Sequence, residues 1–146
     1  MVASDGQALR TSAAAVSIQG AAAGGVAGMK LKAGATLVAA ARLDFGAVVV
    51  IVTDEGTAKV TDTAELPAKG RATGGVRLVK LKGFETTLAY GWIGKNQSVA
   101  AIIAEDGDPR RLDPTPQPMG LEPTRRDGPT VDLGPRIVQL GEYRFS

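Results

Sequence analysis

The sequence predicts an all-β fold of propeller-like blades about fifty residues long, incomplete, with two blades and part of a third. Three observations carry this. The chain repeats itself at an offset of fifty. Asp5-Gly6-Gln7-Ala8-Leu9-Arg10-Thr11 aligns with Glu55-Gly56-Thr57-Ala58-Lys59-Val60-Thr61, and Met29-Lys30-Leu31-Lys32 aligns with Val79-Lys80-Leu81-Lys82. Gly20, Gly24 and Gly25 align likewise with Gly70, Gly74 and Gly75. Such a period exceeds that of most helical solenoids and suits one propeller blade. Glycine supplies 19 of 146 residues, well above the usual roughly 7%. The apolar residues, finally, fall in short runs between turn signals, without long helical periodicity.

The first repeat, residues 1–45, opens on a truncated strand, because residues 1–4 align with 51–54. The chain is therefore expected to be cut from a longer protein, inside a blade. Residues 137–140 or a second molecule would then fill the strand position otherwise left as an exposed edge. Residues 9–11 follow as a strand, 19–25 as a glycine loop, and 26–32 and 35–43 as further strands. Alanines at 13–15 and 21–23 favour helix by propensity. The repeat overrides this, since Pro67 and glycines occupy the matching stretch.

The second repeat, residues 46–95, holds the clearest strand, 46–53, a β-branched run ended by Asp54-Glu55-Gly56. Residues 57–61 are its hairpin partner. Asp62-Thr63-Ala64-Glu65 has capping-box spacing and predicts one helical turn, stopped by Pro67. Residues 69–75 are a glycine loop, and 76–82 and 86–93 two strands, giving the four strands of a blade. The third repeat, 96–113, begins with a strand at 99–105, a turn at Asp106-Gly107 and a partner at 110–113. Its glycine loop is missing from the pattern. Residues 109–135 hold seven of the eight prolines, so 114–146 reads as an irregular tail with a possible closing strand.

Composition narrows the function. Without cysteine there is no disulfide or thiolate metal site. Without histidine the commonest general base and metal ligand are gone. No apolar run reaches the roughly 18 residues of a membrane span, and no secretory signal is visible. No metal, cofactor or catalytic residue is expected, nor a membrane partner. The acids Asp54-Glu55 and Glu105-Asp106 sit at hairpin turns, where they serve the turn. Net charge is +2, but residues 1–100 carry eleven Lys/Arg against seven Asp/Glu, whereas 101–146 carry six against eight. The repeated part is the basic part.

The candidate binding residues lie there. In a strand, residues two apart share a face, so Lys30 and Lys32 oppose Met29 and Leu31, as Lys80 and Lys82 oppose Val79 and Leu81. Adjacent blades would align these pairs along one rim, with Lys59, Lys69, Arg71 and Arg77 in the same repeat. Lysines on outer strands also serve solubility and block edge pairing. The matched Lys-x-Lys pairs in a net-basic segment favour contact with a run of phosphates, which needs charge and no base reading. The glycine loops lack a P-loop signature and serve backbone turns. Lys69 and Arg71 flank the second. Tyr90 and Trp92 share a face with Leu88, a pattern read as blade core before a base-stacking platform.

Residues 47–61 followed by Lys-Gly-Arg-Ala-Thr-Gly-Gly-Val-Arg at 69–77 resemble one blade of the C-terminal domain of type IIA topoisomerase A subunits, the group of DNA gyrase and topoisomerase IV. The resemblance covers nearly all of residues 1–112, and Arg125-Arg126-Asp127-Gly128 resembles the ends of actinobacterial subunits. It implies a β-pinwheel whose basic rim binds and bends duplex DNA, presenting a segment for strand passage and tuning supercoil preference. The breakage tyrosine would belong to an ATP-dependent core outside this chain, so the chain is no enzyme alone and Tyr90 and Tyr143 have no such role. Implied partners are double-stranded DNA, the rest of the A subunit and the B subunit. The compartment would be the cytoplasm, at the nucleoid. The family's Gln-Arg-Arg-Gly-Gly-Lys-Gly box is only partly kept: residues 19–25 retain the Gln and the glycine pair without charge, and 69–75 retain charge without the Gln. That departure points toward a topoisomerase IV-type or divergent domain. A family disc has five or six blades, so a homo-oligomer of this chain is a further expectation. The alternative is a protein-interaction propeller fragment with no DNA role.

Overall fold

The strand Val48–Thr53 is buried along its whole length in the computed structural model, which describes residues 1–108 and 110–145. Pro109, in the proline-rich stretch, and Ser146, at the end of the tail, lie outside the described residues. In chain order the strands are β1 (Val2–Ala3), β2 (Gln7–Ala8), β3 (Leu37–Ala39), β4 (Val48–Thr53), β5 (Ala58–Asp62), β6 (Val76–Arg77), β7 (Leu88–Gly94), β8 (Val99–Ala104), β9 (Leu112–Pro118) and β10 (Arg136–Glu142). They form three antiparallel sheets, ordered β3-β1-β2-β6, β7-β4-β5 and β10-β8-β9. The fold is all-β and propeller-like, one sheet per repeat.

Each repeat supplies three strands to its own sheet, and in the first two the fourth position is filled from the next repeat. β6 belongs to the second repeat by sequence but pairs with β2 of the first, Gln7 opposite Arg77 and Ala8 opposite Val76. Val131 of the third repeat pairs with Ala58 of the second, N–H to carbonyl both ways at 2.9 and 2.8 Å. Residues 76–82 are thus not a strand of their own blade, and residues 26–32 form no strand.

The same exchange reveals a loop that the sequence pattern conceals. Ala72 N–H donates to the Gly28 carbonyl and Asp127 N–H to that of Leu78. Lys30 N–H donates to Thr73 and Lys80 N–H to Gly128. Ala72 and Asp127 are two of the three described non-glycine residues with positive φ, at 63° and 61°. Residues 124–131 are therefore the third glycine loop, displaced because Ala104 and Leu112, the facing ends of β8 and β9, are further apart in the sequence than Thr53 and Ala58 of β4 and β5. The proline-rich chain after residue 113 is not irregular throughout. β9 carries Pro114, Pro116 and Pro118 and pairs only with β8, the edge setting where proline is tolerated. Residues 137–140 lie in β10 against β8 and do not fill the first blade.

Alternation along β4 builds the core. Val48, Val50 and Val52 pack with Val99, Ala101, Met119 and Ile137 of the third repeat. Val49 and Ile51 pack with Val2, Leu66, Leu78 and Leu88 on the other side. Each such side chain contributes about 1.5–3 kcal/mol by burial, which explains an apolar run without polar alternation. Trp92 is half-buried against the first cluster, a core position. The capped turn at Asp62 is a 3-10 turn, Thr63–Glu65, and Ser12 caps its counterpart, Ala13–Ala15.

Two ionisable side chains are enclosed. Glu85 is 5% exposed and accepts from Thr57 Oγ1, Thr130 Oγ1 and Lys82 N–H. Burial pushes its pKa up, but the hydrogen bonds, led by that of Thr130, outweigh it and hold the pKa below the usual value. Lys59 is 1% exposed, its ammonium donating to Thr61 Oγ1 at 2.7 Å. Burial lowers its pKa, with Glu65 and Asp127 opposing.

Three outcomes are expected. A Cβ on Gly75 (φ +75°) would stand 2.1 Å from the Ala8 carbonyl oxygen, while one on its counterpart Gly25 (φ +84°) meets open space. Gly75→Ala should cost about 2–4 kcal/mol in denaturant unfolding and Gly25→Ala about 1 kcal/mol; equal costs would contradict the strand exchange. Glu85's lowered pKa gives stability that is full above the ordinary glutamate range and lost as pH falls through the folded value. Glu85→Gln should therefore flatten the acid limb of melting temperature against pH. The buried Lys59 ammonium opposes folding at neutral pH, an effect relieved as pH climbs from its lowered folded pKa to the ordinary lysine value of about 10.4. Lys59→Met should hold or raise the neutral melting temperature; a clear fall would mean the ammonium is well paired.

Candidate nucleic-acid interface

The candidate residues lie around the exchange loops. Lys30 and Lys80 each donate a backbone N–H at 2.9 Å to the loop arriving from the next repeat, at Thr73 and Gly128. This shared bond puts the two Lys-x-Lys segments at the same place on adjacent blades. Lys30, Lys32 and Lys80 are exposed and Lys82 is half-buried. Lys30 and Lys32 border a hollow of about 230 Å³ beside Gly74 and Gly75. Lys80 borders another of about 570 Å³, with Arg77, Arg125 and Asp127.

The remaining predicted residues divide. Lys69 is exposed, and its N–H donates to the Arg10 carbonyl. Arg77 is exposed and lies 3.8 Å from Asp127, a surface pair of small energetic weight. Arg71 is directed inward: it donates to the carbonyls of Ala15 (3.3 Å) and Ala27 (3.0 Å) and so braces the first glycine loop. Lys59 is not on the rim. It shares a face of β5 with the buried Thr61, opposite Ile51 of β4, and a Cβ on Gly128 would lie 3.9 Å from its Cε. Strand direction was the missing information, because the repeat places Leu9, also buried, at the same position.

Three arginines were overlooked. Arg10 reaches across to the Thr63 and Leu66 carbonyls and ties the first blade to the second. Arg126 copies Arg71, donating to the Arg77 carbonyl at 2.8 Å. Arg125 adds an exposed charge beside Lys80. The Arg-x-Thr/Gly pattern after residue 125 was the available signal, masked by the changed offset. Among the described residues no group of metal-type ligands occurs and no helix is long and apolar enough to cross a membrane.

Residues 1–44 and 47–83 match the family model described as DNA gyrase C-terminal domain, beta-propeller. Among solved structures, the chain resembles the C-terminal domain of DNA topoisomerase IV with a TM-score of 0.77 at 21% identity, over 97% of this chain and 45% of that one. It also resembles the DNA gyrase A C-terminal domain with a TM-score of 0.68 at 17% identity, over 98% of this chain and 47% of that one. The two structural likenesses speak for the fold, and the chain spans less than half the length of either. No curated protein matches it in sequence. With the family model covering more than half of its residues and the exchanged blades in place, this chain belongs to the DNA gyrase C-terminal domain family.

Proposed function

We propose that the chain is a sequence-independent duplex-DNA-binding module of a type II topoisomerase A subunit. It would bend a DNA segment for strand passage and tune the preferred supercoil substrate. Strand breakage and ATP use would reside in the rest of the A subunit and in the B subunit, at the nucleoid in the cytoplasm. The observation that carries this reading is the equivalence of the two lysine pairs. The same backbone bond holds Lys30-x-Lys32 and Lys80-x-Lys82 on consecutive blades, which makes a repeating line of positive charge without base-reading groups. Lys69, Arg77 and Arg125 extend it. Arg71 acts by positioning the loop, and Lys59 takes no part.

Binding should weaken steeply with salt, log K falling by roughly 0.9 per phosphate neutralised. Replacing Lys30, Lys32, Lys80 and Lys82 together by Ala should reduce that slope by about 3–4 in a fluorescence titration on short duplexes. Lys59→Met should leave the slope unchanged. A slope untouched by the quadruple replacement would reject the lysine track. Strong binding to an acidic protein with no DNA binding would reject the DNA role itself.

A further inference from the structure

The second lysine pair runs directly into a tight turn. Glu85 N–H donates to the Lys82 carbonyl at 3.0 Å, which closes residues 82–85 into a four-residue turn. Its tip carries Phe84, 60% exposed. The first blade builds the matching turn from Lys32, Ala33, Gly34 and Ala35, closed by the same bond at 3.0 Å. That turn holds Gly34 at a φ of +79°, a conformation that disfavours any other residue. Phe84 lies outside the positive-φ region, so its turn accepts a side chain at the tip. The aromatic is thus a feature of one blade, set beside a lysine pair that both blades share.

The turn is anchored from beneath. The buried Glu85 carboxylate accepts from the Lys82 N–H at 2.9 Å, from Thr57 Oγ1 at 2.9 Å and from Thr130 Oγ1 of the third repeat. Directly after the turn, the Asp54 carboxylate accepts from the Thr86 N–H, the Thr86 hydroxyl and the Thr87 N–H. A backbone fixed in this way presents its exposed ring with little ordering left to do on contact. Phe45 makes the contrast. It is also fully exposed and in a tight turn, closed by the bond from Ala47 N–H to the Asp44 carbonyl. Its flanking charges, however, are Arg42 and Asp44, paired with each other. The pairing of Val48 with Gly94 and of Thr53 with Leu88 puts Phe45 and Phe84 at opposite ends of the β4–β7 ladder.

We propose that Phe84 is a wedge that inserts between base pairs of a bound duplex whose backbone Lys80 and Lys82 hold, and that it concentrates the bend at the second blade. The proposal rests on the duplex-binding reading given above. Apolar side chains act in this way in proteins that kink DNA: the ring partly unstacks one step, and the bent duplex then covers more protein surface. Stacking a ring between pairs needs no hydrogen bond to a base edge, so it agrees with binding that reads no sequence. It also removes an exposed aromatic from water. The first blade can hold phosphates through Lys30 and Lys32, but with Gly34 at the tip it has no wedge.

The test uses two short duplexes carrying a donor and an acceptor dye at their ends, one fully paired and one with a single central mismatch. The 146-residue chain should shorten the end-to-end distance of both. It should bind the mismatched duplex about tenfold more tightly, because a weakened pair costs less to unstack. Phe84→Ala should erase that preference and reduce the bend, while the slope of log K against log salt stays the same, since no charge is lost. Phe84→Leu should restore most of the preference, because an aliphatic wedge also unstacks a step. Phe45→Ala should behave as the unmodified chain, and all three variants should keep its melting temperature. A Phe84→Ala chain that binds DNA with the preference and the bend intact overturns the wedge and leaves the lysine track standing. So does an equal loss in Phe45→Ala, or a clear fall in the melting temperature of Phe84→Ala, which would assign the ring to packing. Absence of DNA binding by the unmodified chain overturns the duplex-binding reading itself, and the wedge with it.

Discussion

No blade in this chain is closed by its own residues. The outer edge of β2 is covered by β6, and that of β5 by Val131, each from the following repeat. An uncovered strand edge leaves backbone donors and acceptors without partners and invites pairing with other chains. The exchange satisfies those groups inside the molecule and makes neighbouring repeats depend on one another. It also dictates composition at the crossing. Residue 75 lies so close to the Ala8 carbonyl that no side chain fits there, and Arg71 and Arg126 brace the same loop in successive repeats.

The exchange loops also carry the charge. The bonds from Lys30 to Thr73 and from Lys80 to Gly128 are part of the backbone lock between repeats, so the rim lysines are placed by the interaction that closes the blades. Where the lock involves the third repeat, Glu85 joins three separate segments through Thr57, Thr130 and the Lys82 amide. Residue 35, at the matching position of the first repeat, is alanine, so the two junctions differ in polarity although their backbone geometry is alike.

Much of this was readable from residues. The offset of fifty, the burial of residues 48–53 and the capped turn after Asp62 follow from patterns of two to fifty residues. The third repeat was harder to read. Its longer β8–β9 turn shifts everything downstream, so Arg126-Asp127-Gly128 no longer aligns with Arg71-Ala72-Thr73 at the earlier offset. Its alternating prolines resemble irregular chain, yet an edge strand accepts them because it needs a ladder on one side only. Lys59 was misplaced for a related reason: alternation sets it beside Thr61 on one face of β5, and nothing local reports that this face is buried.

Periodicity and composition alone established an all-β repeat protein with a basic segment, because strand alternation, turn chemistry and charge are properties of neighbouring residues. Long-range packing decided which repeat each fourth strand serves and which lysines stay on the surface. Those outcomes depend on backbone hydrogen bonds between segments far apart in the sequence. Such bonds are made by main-chain groups common to almost every residue, so the side-chain sequence leaves little trace of them.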